Sequence, residues 1–304
     1  MVAVTVAFQT DKTAAEYADL ARLAEDLGFD GVSVFQDFGY QPSIFALLEM
    51  ARATSRVRLG AACLNPSLLH PVEIAGQAAA LQAASGGRAY VGIARGAWLD
   101  RVGIHPDRPL RRLEEAVEVV RRLLTGDDDG YPGEIFSLDP GVRLEATAGP
   151  VPILLGTWGP RGLELAARVA DEVKLGGCAN PDMIRLARQR LDAAGGAHVG
   201  LVAGAVTVVD ESSSAAWELA RAEVEMYLDV VAPLDETVTL PDGPVPQELL
   251  RRFTFAGSPD EIAAHAAECV AAGATRIEFG TPHAAVPAHG LRLLAEHVLP
   301  ELQS

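Results

Sequence analysis

The chain has 304 residues, the length of one large domain, and its 49% hydrophobic and 22% charged content supplies a buried core and excludes a disordered polymer. Its 41 acidic residues outnumber 25 basic ones and leave a formal charge of −16, so a nucleic-acid backbone would meet repulsion and is not an expected partner. Three cysteines without a C-x-x-C pair exclude a disulfide framework and a zinc knuckle and fit a reducing cytoplasm, and with no basic leader and no apolar run near about 18 residues, neither secretion nor membrane insertion is expected.

In chain order, Ala3 to Phe8 is a short β-branched and apolar run, followed by Thr13-Ala14-Ala15-Glu16 with the spacing of a capping box. Tyr17, Leu20, Ala21, Ala24 and Leu27 recur at helical intervals, Gly28 ends that helix, and Gly31-Val32-Ser33-Val34-Phe35 reads as a second strand. The alternation predicts a helix over 43–54, a strand over 57–62, a helix over 71–85, a strand over 89–94 and a long helix over 108–125. Residues 126–150, punctuated by Asp, Gly and Pro, read as an insertion carrying a hairpin built on Ile135-Phe136 and Val142-Arg143-Leu144.

A strand over 153–156, a helix over 160–170, a strand over 172–175, a helix over 181–194, a strand over 199–209 and a helix over 213–231 follow. A second insertion is expected over 232–257, and then Ser258-Pro259-Asp260-Glu261 caps a helix over 260–272, before a strand over 276–279 and a last helix over 288–299. Eight predicted strands alternating with helices favour a single closed (β/α)₈ TIM barrel with two insertions over an open doubly wound sheet.

In such a barrel the residues that follow each strand line the active site. Three of these exits are unusual: Gly60 through Cys63 to Asn65-Pro66 and His70-Pro71, then Gly92-Ile93-Ala94-Arg95-Gly96-Ala97-Trp98, then Gly156-Thr157-Trp158-Gly159-Pro160-Arg161-Gly162. Any one is readable as a tight turn that needs glycine, whereas three on one rim suggest a binding site for a flat or anionic ligand. P-loop, zincin, α/β-hydrolase and Rossmann fingerprints are absent from the sequence.

The run from Thr54 to Gly60, Asn65-Pro66, His70-Pro71, and Ser85-Gly86-Gly87-Arg88 leading into Ala89 to Ile93 resemble the luciferase-like monooxygenase superfamily over nearly the whole chain. Gly159-Pro160-Arg161-Gly162-Leu163-Glu164-Leu165-Ala166 and Phe279-Gly280-Thr281-Pro282-His283 are most similar to its branch that uses the deazaflavin coenzyme F420, the methylenetetrahydromethanopterin reductase-like enzymes. The resemblance implies a (β/α)₈ barrel with insertions, hydride transfer between deazaflavin C5 and a small organic substrate, and a homodimer. The alternative on the same scaffold is a reduced-FMN-dependent monooxygenase, and a third reading is a barrel that only binds a metabolite.

The resemblance also implies a non-prolyl cis peptide at Ala62–Cys63, placed behind the cofactor ring. Gln36, Ala62, Cys63, Asn65, Arg95 and Gly96 would lie at the deazaflavin head. Gly156, Thr157, Trp158, Gly159, Pro160, Arg161, Gly162, Gly176 and Gly177 would hold its ribityl chain and phosphate. Two departures stand out: Gln36-Asp37 occupies the place of an Asp-His pair, and Ala97 the place of a glutamate. Asp37 is then the candidate proton donor, or else a solvated or capping aspartate, and His70 is a second catalytic candidate or a turn residue. His283 and Trp98 are candidate substrate contacts, and both tryptophans could equally pack beneath the loops.

Overall fold

The computed structural model describes residues 2–146 and 149–303. The first half runs β1 (Ala3–Phe8), α1 (Ala14–Asp26), β2 (Gly31–Val34), α2 (Ser43–Ala53), β3 (Arg58–Leu64), α3 (Pro71–Ser85), β4 (Ala89–Ala94) and α4 (Pro109–Thr125). There follow β5 (Ile153–Gly156), α5 (Pro160–Val169), β6 (Glu172–Gly176), α6 (Pro181–Ala193), β7 (Gly200–Val209), α7 (Ser213–Glu225), α8 (Leu228–Val231) and α9 (Gln247–Leu250). The chain ends with β8 (Thr254–Gly257), α10 (Pro259–Ala271), β9 (Arg276–His283), α11 (Pro287–Leu293) and α12 (Leu299–Gln303).

Strands β1 to β7 pair in sequence and in parallel, and β9 pairs with both β7 and β1, which closes a ring of eight parallel strands. The expected (β/α)₈ barrel is therefore the observed fold. Local chemistry sets the helix starts: Thr13 and Ser258 form capping boxes with Glu16 and Glu261, and proline opens α3, α4, α5, α6 and α10. Among the described residues no helix is long and apolar enough to cross a membrane.

Four details differ from the sequence reading. Residues 254–257, expected inside the second insertion, form β8, which pairs with Val206–Val209 of the long β7. The helix expected over 213–231 breaks at Met226-Tyr227 into α7 and α8, and the last helix contains a π-turn over Leu294–Val298. In the first insertion the antiparallel bridge joins Tyr131 to Leu138. The reason is the buried carboxylate of Glu115, which accepts the N–H groups of Glu134, Ile135 and Phe136 at 3.0, 2.7 and 2.9 Å and curls that segment into a turn. Thr147 and Ala148 of this insertion lie outside the described residues.

The period-2 pattern of the strands separates two environments. Val4, Val6, Val32, Val34, Leu59, Val91, Ile93, Ile153, Leu155, Val173 and Leu175 point outward into the apolar layer beneath the helices. The inward face carries charge, small residues, and a small cluster of Tyr90 with Leu154 and Val202. Glu278 receives hydrogen bonds from Lys174 and from Ser33, and Ser33 also meets the Tyr90 hydroxyl. Arg276 pairs with Glu172 at 3.1 Å, and its guanidinium lies 5.0 Å from the centre of the Tyr90 ring. Glycine makes the room: a Cβ on Gly60 would sit 2.6 Å from the Tyr90 ring, and one on Gly204 would sit 3.0 Å from Lys174 Cε.

Glu25, at the end of α1, fastens the approach to β3. Its carboxylate accepts the N–H groups of Ser55, Arg56 and Val57 and the Ser55 hydroxyl, at 2.6–3.1 Å. Burial opposes ionisation, but the Val57, Arg56 and Ser55 donors outweigh it and hold the pKa down to about 2. A depressed carboxylate pKa stabilises the fold fully above the ordinary value and loses that contribution as pH falls through the folded value. Glu25→Gln is expected to cost about 1–3 kcal/mol at pH 7, read by urea denaturation, with the gap to the parent narrowing as pH falls from 4.5 towards 2.

Candidate active site

The carboxyl ends of the strands form the candidate site. β3 leaves its register with β4 between Ala61 and Leu64, and the Ala62–Cys63 peptide is cis, as the resemblance implied. Cys63 lies over two inward glycines: a Cβ on Gly92 or Gly156 would come within 3.1 or 3.2 Å of its Sγ. Burial pushes its thiol up to about 12, so Cys63 is a neutral wall rather than a nucleophile. Asn65 is buried, accepts the Ser67 N–H at 2.8 Å, and turns its amide to Gly96, where a Cβ would lie 2.0 Å from Nδ2. That contact and a φ of 78° together make Gly96 necessary.

At the β2 exit, Gln36 Oε1 accepts the N–H and the hydroxyl of Ser43 at 2.7 and 3.0 Å, which fixes the start of α2. Asp37 is exposed on the rim and accepts a hydrogen bond from Gln9 Nε2 at 2.7 Å. At the β5 exit, Gly159 and Pro160 open α5 with no side-chain cap, so its first N–H groups remain for an acceptor, and Arg161 is exposed beside them. Thr157 packs its Oγ1 where a Cβ on Gly162 would be. Trp158 is buried and donates Nε1–H to the Gly176 carbonyl at 3.2 Å, bracing the β6 exit from behind. Gly177, at φ 82°, follows Gly176 and donates its N–H to Gly204 O at 2.7 Å.

Three expected contacts are placed differently. His70 is the N-cap of α3: its Nδ1 accepts the Val72 N–H at 3.3 Å, and its ring meets Phe136 edge-on at 5.2 Å, so turn chemistry accounts for it. His283 is fully buried, with Nε2 at 2.9 Å from Phe279 O and its ring against Phe8, and burial lowers its pKa to about 4. It is a neutral core histidine out of reach of a substrate at the rim. Trp98 is half-buried at φ 55° between β4 and α4, with Arg101 stacked on it at 5.6 Å.

One residue of the site escaped the sequence reading. A cavity of about 190 Å³ lies between the β3 and β4 exits and the start of α4, lined by Pro66, Ser67, Arg95, Gly96, Leu99 and Arg112 among others. Among the described residues neither Arg95 nor Arg112 has a hydrogen bond or ion pair, and Arg112 is held only by stacking over Phe136 at 5.2 Å. The neighbouring Arg111 pairs with Glu115 at 2.7 Å and with Glu114 at 3.4 Å. Two guanidinium groups without an ion-pair partner among the described residues line this cavity together with the single carboxylate of Asp100, which leaves it a net positive lining suited to an anion. The sequence conceals this, because Glu115 stands three residues on, within pairing reach along a helix, but its carboxylate is taken by Arg111 and by the backbone of Glu134, Ile135 and Phe136.

Comparison with known proteins agrees with this geometry. The chain is 28% identical to a 5,10-methylenetetrahydromethanopterin reductase of Archaeoglobus fulgidus, covering 98% of this chain and 99% of the relative. It is 35% identical to an F420-dependent glucose-6-phosphate dehydrogenase of Nakamurella multipartita over 51% of this chain and 50% of that one. The fold matches the structure of the coenzyme F420-dependent tetrahydromethanopterin reductase of Methanopyrus kandleri with a TM-score of 0.84 at 21% identity, over 98% and 99% of the two chains. The model of the luciferase-like monooxygenase family matches residues 2–276. With a closed parallel barrel, a bulge after β3 and a glycine-lined rim, the chain belongs to the luciferase-like monooxygenase family.

Proposed function

We propose that this protein is a coenzyme F420-dependent oxidoreductase that moves hydride between deazaflavin C5 and a small organic substrate. The observation that carries the reading is the pair of unpaired arginines, Arg95 and Arg112, in a cavity that adjoins Gly96 and the β3 exit. The relatives that span the chain are named as methylenetetrahydromethanopterin reductases, and others as F420-dependent dehydrogenases. The residues present fit such a cofactor: Arg95 and Arg112 lining one cavity for an anionic group, and an uncapped helix start for a second.

When bound, the deazaflavin supplies a two-electron hydride carrier with little reactivity towards oxygen. The protein's part is alignment and exclusion of water. Ala62 and Cys63 would lie against the deazaflavin head, and Asn65, braced on Gly96, would help to hold it. Arg95 and Arg112 hold one anionic group, while the α5 turn from Gly159 to Gly162, with Arg161 and the Gly176-Gly177 exit, holds the ribityl and phosphate portion. Asp37, on the rim where the resemblance has a histidine, would be the group that passes a proton to or from the substrate. We also read the chain as one cytoplasmic barrel domain that forms a homodimer, a reading supported by three free thiols and by Phe45 of α2, which is 64% exposed; light scattering tests the dimer.

The test is a fluorescence titration of apo-protein with oxidised F420 and, in parallel, with FMN. Micromolar or tighter F420 binding with weak FMN binding is expected, and Asp37→Asn is expected to keep that affinity while turnover falls. The reverse preference would replace the proposal with a flavin monooxygenase.

A further inference from the structure

The charged interior of the barrel is roofed by an aromatic ring that the proposed function does not use. Phe35 follows the last residue of β2, and its N–H still bonds Phe8 O at 3.0 Å, so the strand geometry extends to it. Ser33, two residues earlier, points inward to Glu278, and by strand alternation Phe35 points inward with it. Its ring lies over Lys174 of β6, with the ammonium nitrogen 5.0 Å from the ring centre. In the closed ring of eight strands β6 stands four places from β2, directly across the barrel, so the side chain spans the mouth rather than lining its wall. The ring tip reaches β9, where a Cβ on Gly280 would lie 3.2 Å from Phe35 Cζ.

Phe35 is only half-buried. Lys174 covers one face of the ring and Gly280 bounds its tip, so the part left open is the face turned to the mouth. The residues proposed to hold the cofactor stand on the β3 to β6 exits and at the start of α4, which leaves the β1, β2 and β9 side of the mouth for the substrate. Asp37 is on that side, tied to the β1 exit by Gln9 at 2.7 Å. Residues 35–40, Phe-Gln-Asp-Phe-Gly-Tyr, are half aromatic in a chain that is 6% aromatic, and Phe38 and Tyr40 are 45% and 48% exposed on the rim beside Asp37. A polyhydroxylated molecule would lay its hydroxyls on this hydrocarbon without partners, whereas a flat conjugated one gains both the burial and the contact of ring on ring.

We infer that Phe35 is a specificity-determining residue, the floor on which a flat, conjugated substrate stacks beside Asp37. This rests on the proposed oxidoreductase reading and adds a substrate class: an aromatic or conjugated ring system rather than a sugar or a saturated chain.

Isothermal titration calorimetry compares 2-acetylnaphthalene with 2-acetyldecalin, the saturated ketone of the same skeleton, on wild-type protein and Phe35→Leu, each with and without F420. The wild type is expected to bind the flat ketone about 5- to 10-fold more tightly than the saturated one. Phe35→Leu keeps apolar bulk over Lys174 and is expected to lose that preference by weakening the flat ketone alone, with F420 affinity unchanged. Where near-ultraviolet circular dichroism shows that leucine impairs folding, Phe35→Met, flexible enough to fill the same space, takes its place with the same outcomes. No binding of either ketone, equal affinities in the wild type, a preference retained in the variant, or a loss of F420 affinity instead would each overturn the inference. Failure of every protein to bind F420 would sink the cofactor reading alone, because the ketone preference without cofactor still decides the role of Phe35.

Discussion

Glu278→Gln is expected to be the most destabilising single change in the barrel, lowering stability by about 3–5 kcal/mol. Glu278 is 1% exposed and is bonded by Lys174, itself 6% exposed, and by Ser33, with Arg276 close by. Removing its charge while keeping its shape strands Lys174 inside the barrel. The desolvation of an ammonium group, tolerable beside a carboxylate, is then uncompensated. Urea denaturation at pH 7 measures the effect, and Lys174→Met combined with Glu278→Gln is expected to recover at least half of it, because the stranded charge is gone. A loss within experimental error in the single variant would show that water reaches the interior and solvates Lys174.

The same carboxylate makes a statement about acid. Burial favours its neutral form, but Lys174 and then Arg276 outweigh burial and hold its pKa below the ordinary glutamate value. Its contribution is complete above the unfolded value and is lost as pH falls through the lower folded one. Parent and Glu278→Gln curves should therefore converge in acid.

The second large effect is on binding. Arg95→Ala with Arg112→Ala is expected to weaken F420 binding about 100-fold or more, since each removes a charge-assisted contact worth about 1.5–3 kcal/mol. Neither side chain has a hydrogen bond or ion pair among the described residues, so the fold itself should change by only about 0.5 kcal/mol for each. The split between lost affinity and retained stability identifies an anion site, and added salt should weaken binding to the parent more than to the double variant. Unchanged affinity would move the cofactor's anionic group to Arg161 and the start of α5.

The barrel was legible in the sequence because its signals are local. Capping boxes at Thr13 and Ser258 and prolines at helix starts announced most of the βα units, and the three glycine exits lie together at the carboxyl ends of the strands. β8 was missed because four residues inside a Pro/Asp-rich stretch carry no period of their own. The histidines stayed open in the sequence because His-Pro at 70–71 and a histidine at the end of a strand look alike whether they cap, pack or react; the structure shows His70 as the cap that the turn reading allowed and His283 as buried. Arg112 matters because of partners it lacks, which no one-dimensional pattern records. The interior network was half visible: Glu172-Val173-Lys174 and Arg276-Ile277-Glu278 alternate charge with apolar residues, the mark of a strand with one polar face.

That polar lining also sets how the protein answers temperature. Exposing apolar surface on unfolding raises heat capacity, and exposing polar surface lowers it. A barrel in which Lys174, Glu278, Arg276, Glu172 and Tyr90 share the interior with only Leu154 and Val202 among the larger aliphatics releases less hydrocarbon to water than one plugged with branched aliphatics. Its curve of stability against temperature is expected to be correspondingly broader, and because hydrating ions grows less favourable with heat, the buried pairs should lose least where hydrophobic packing has stopped gaining. The interior trades peak stability near ambient temperature for constancy across a wide range.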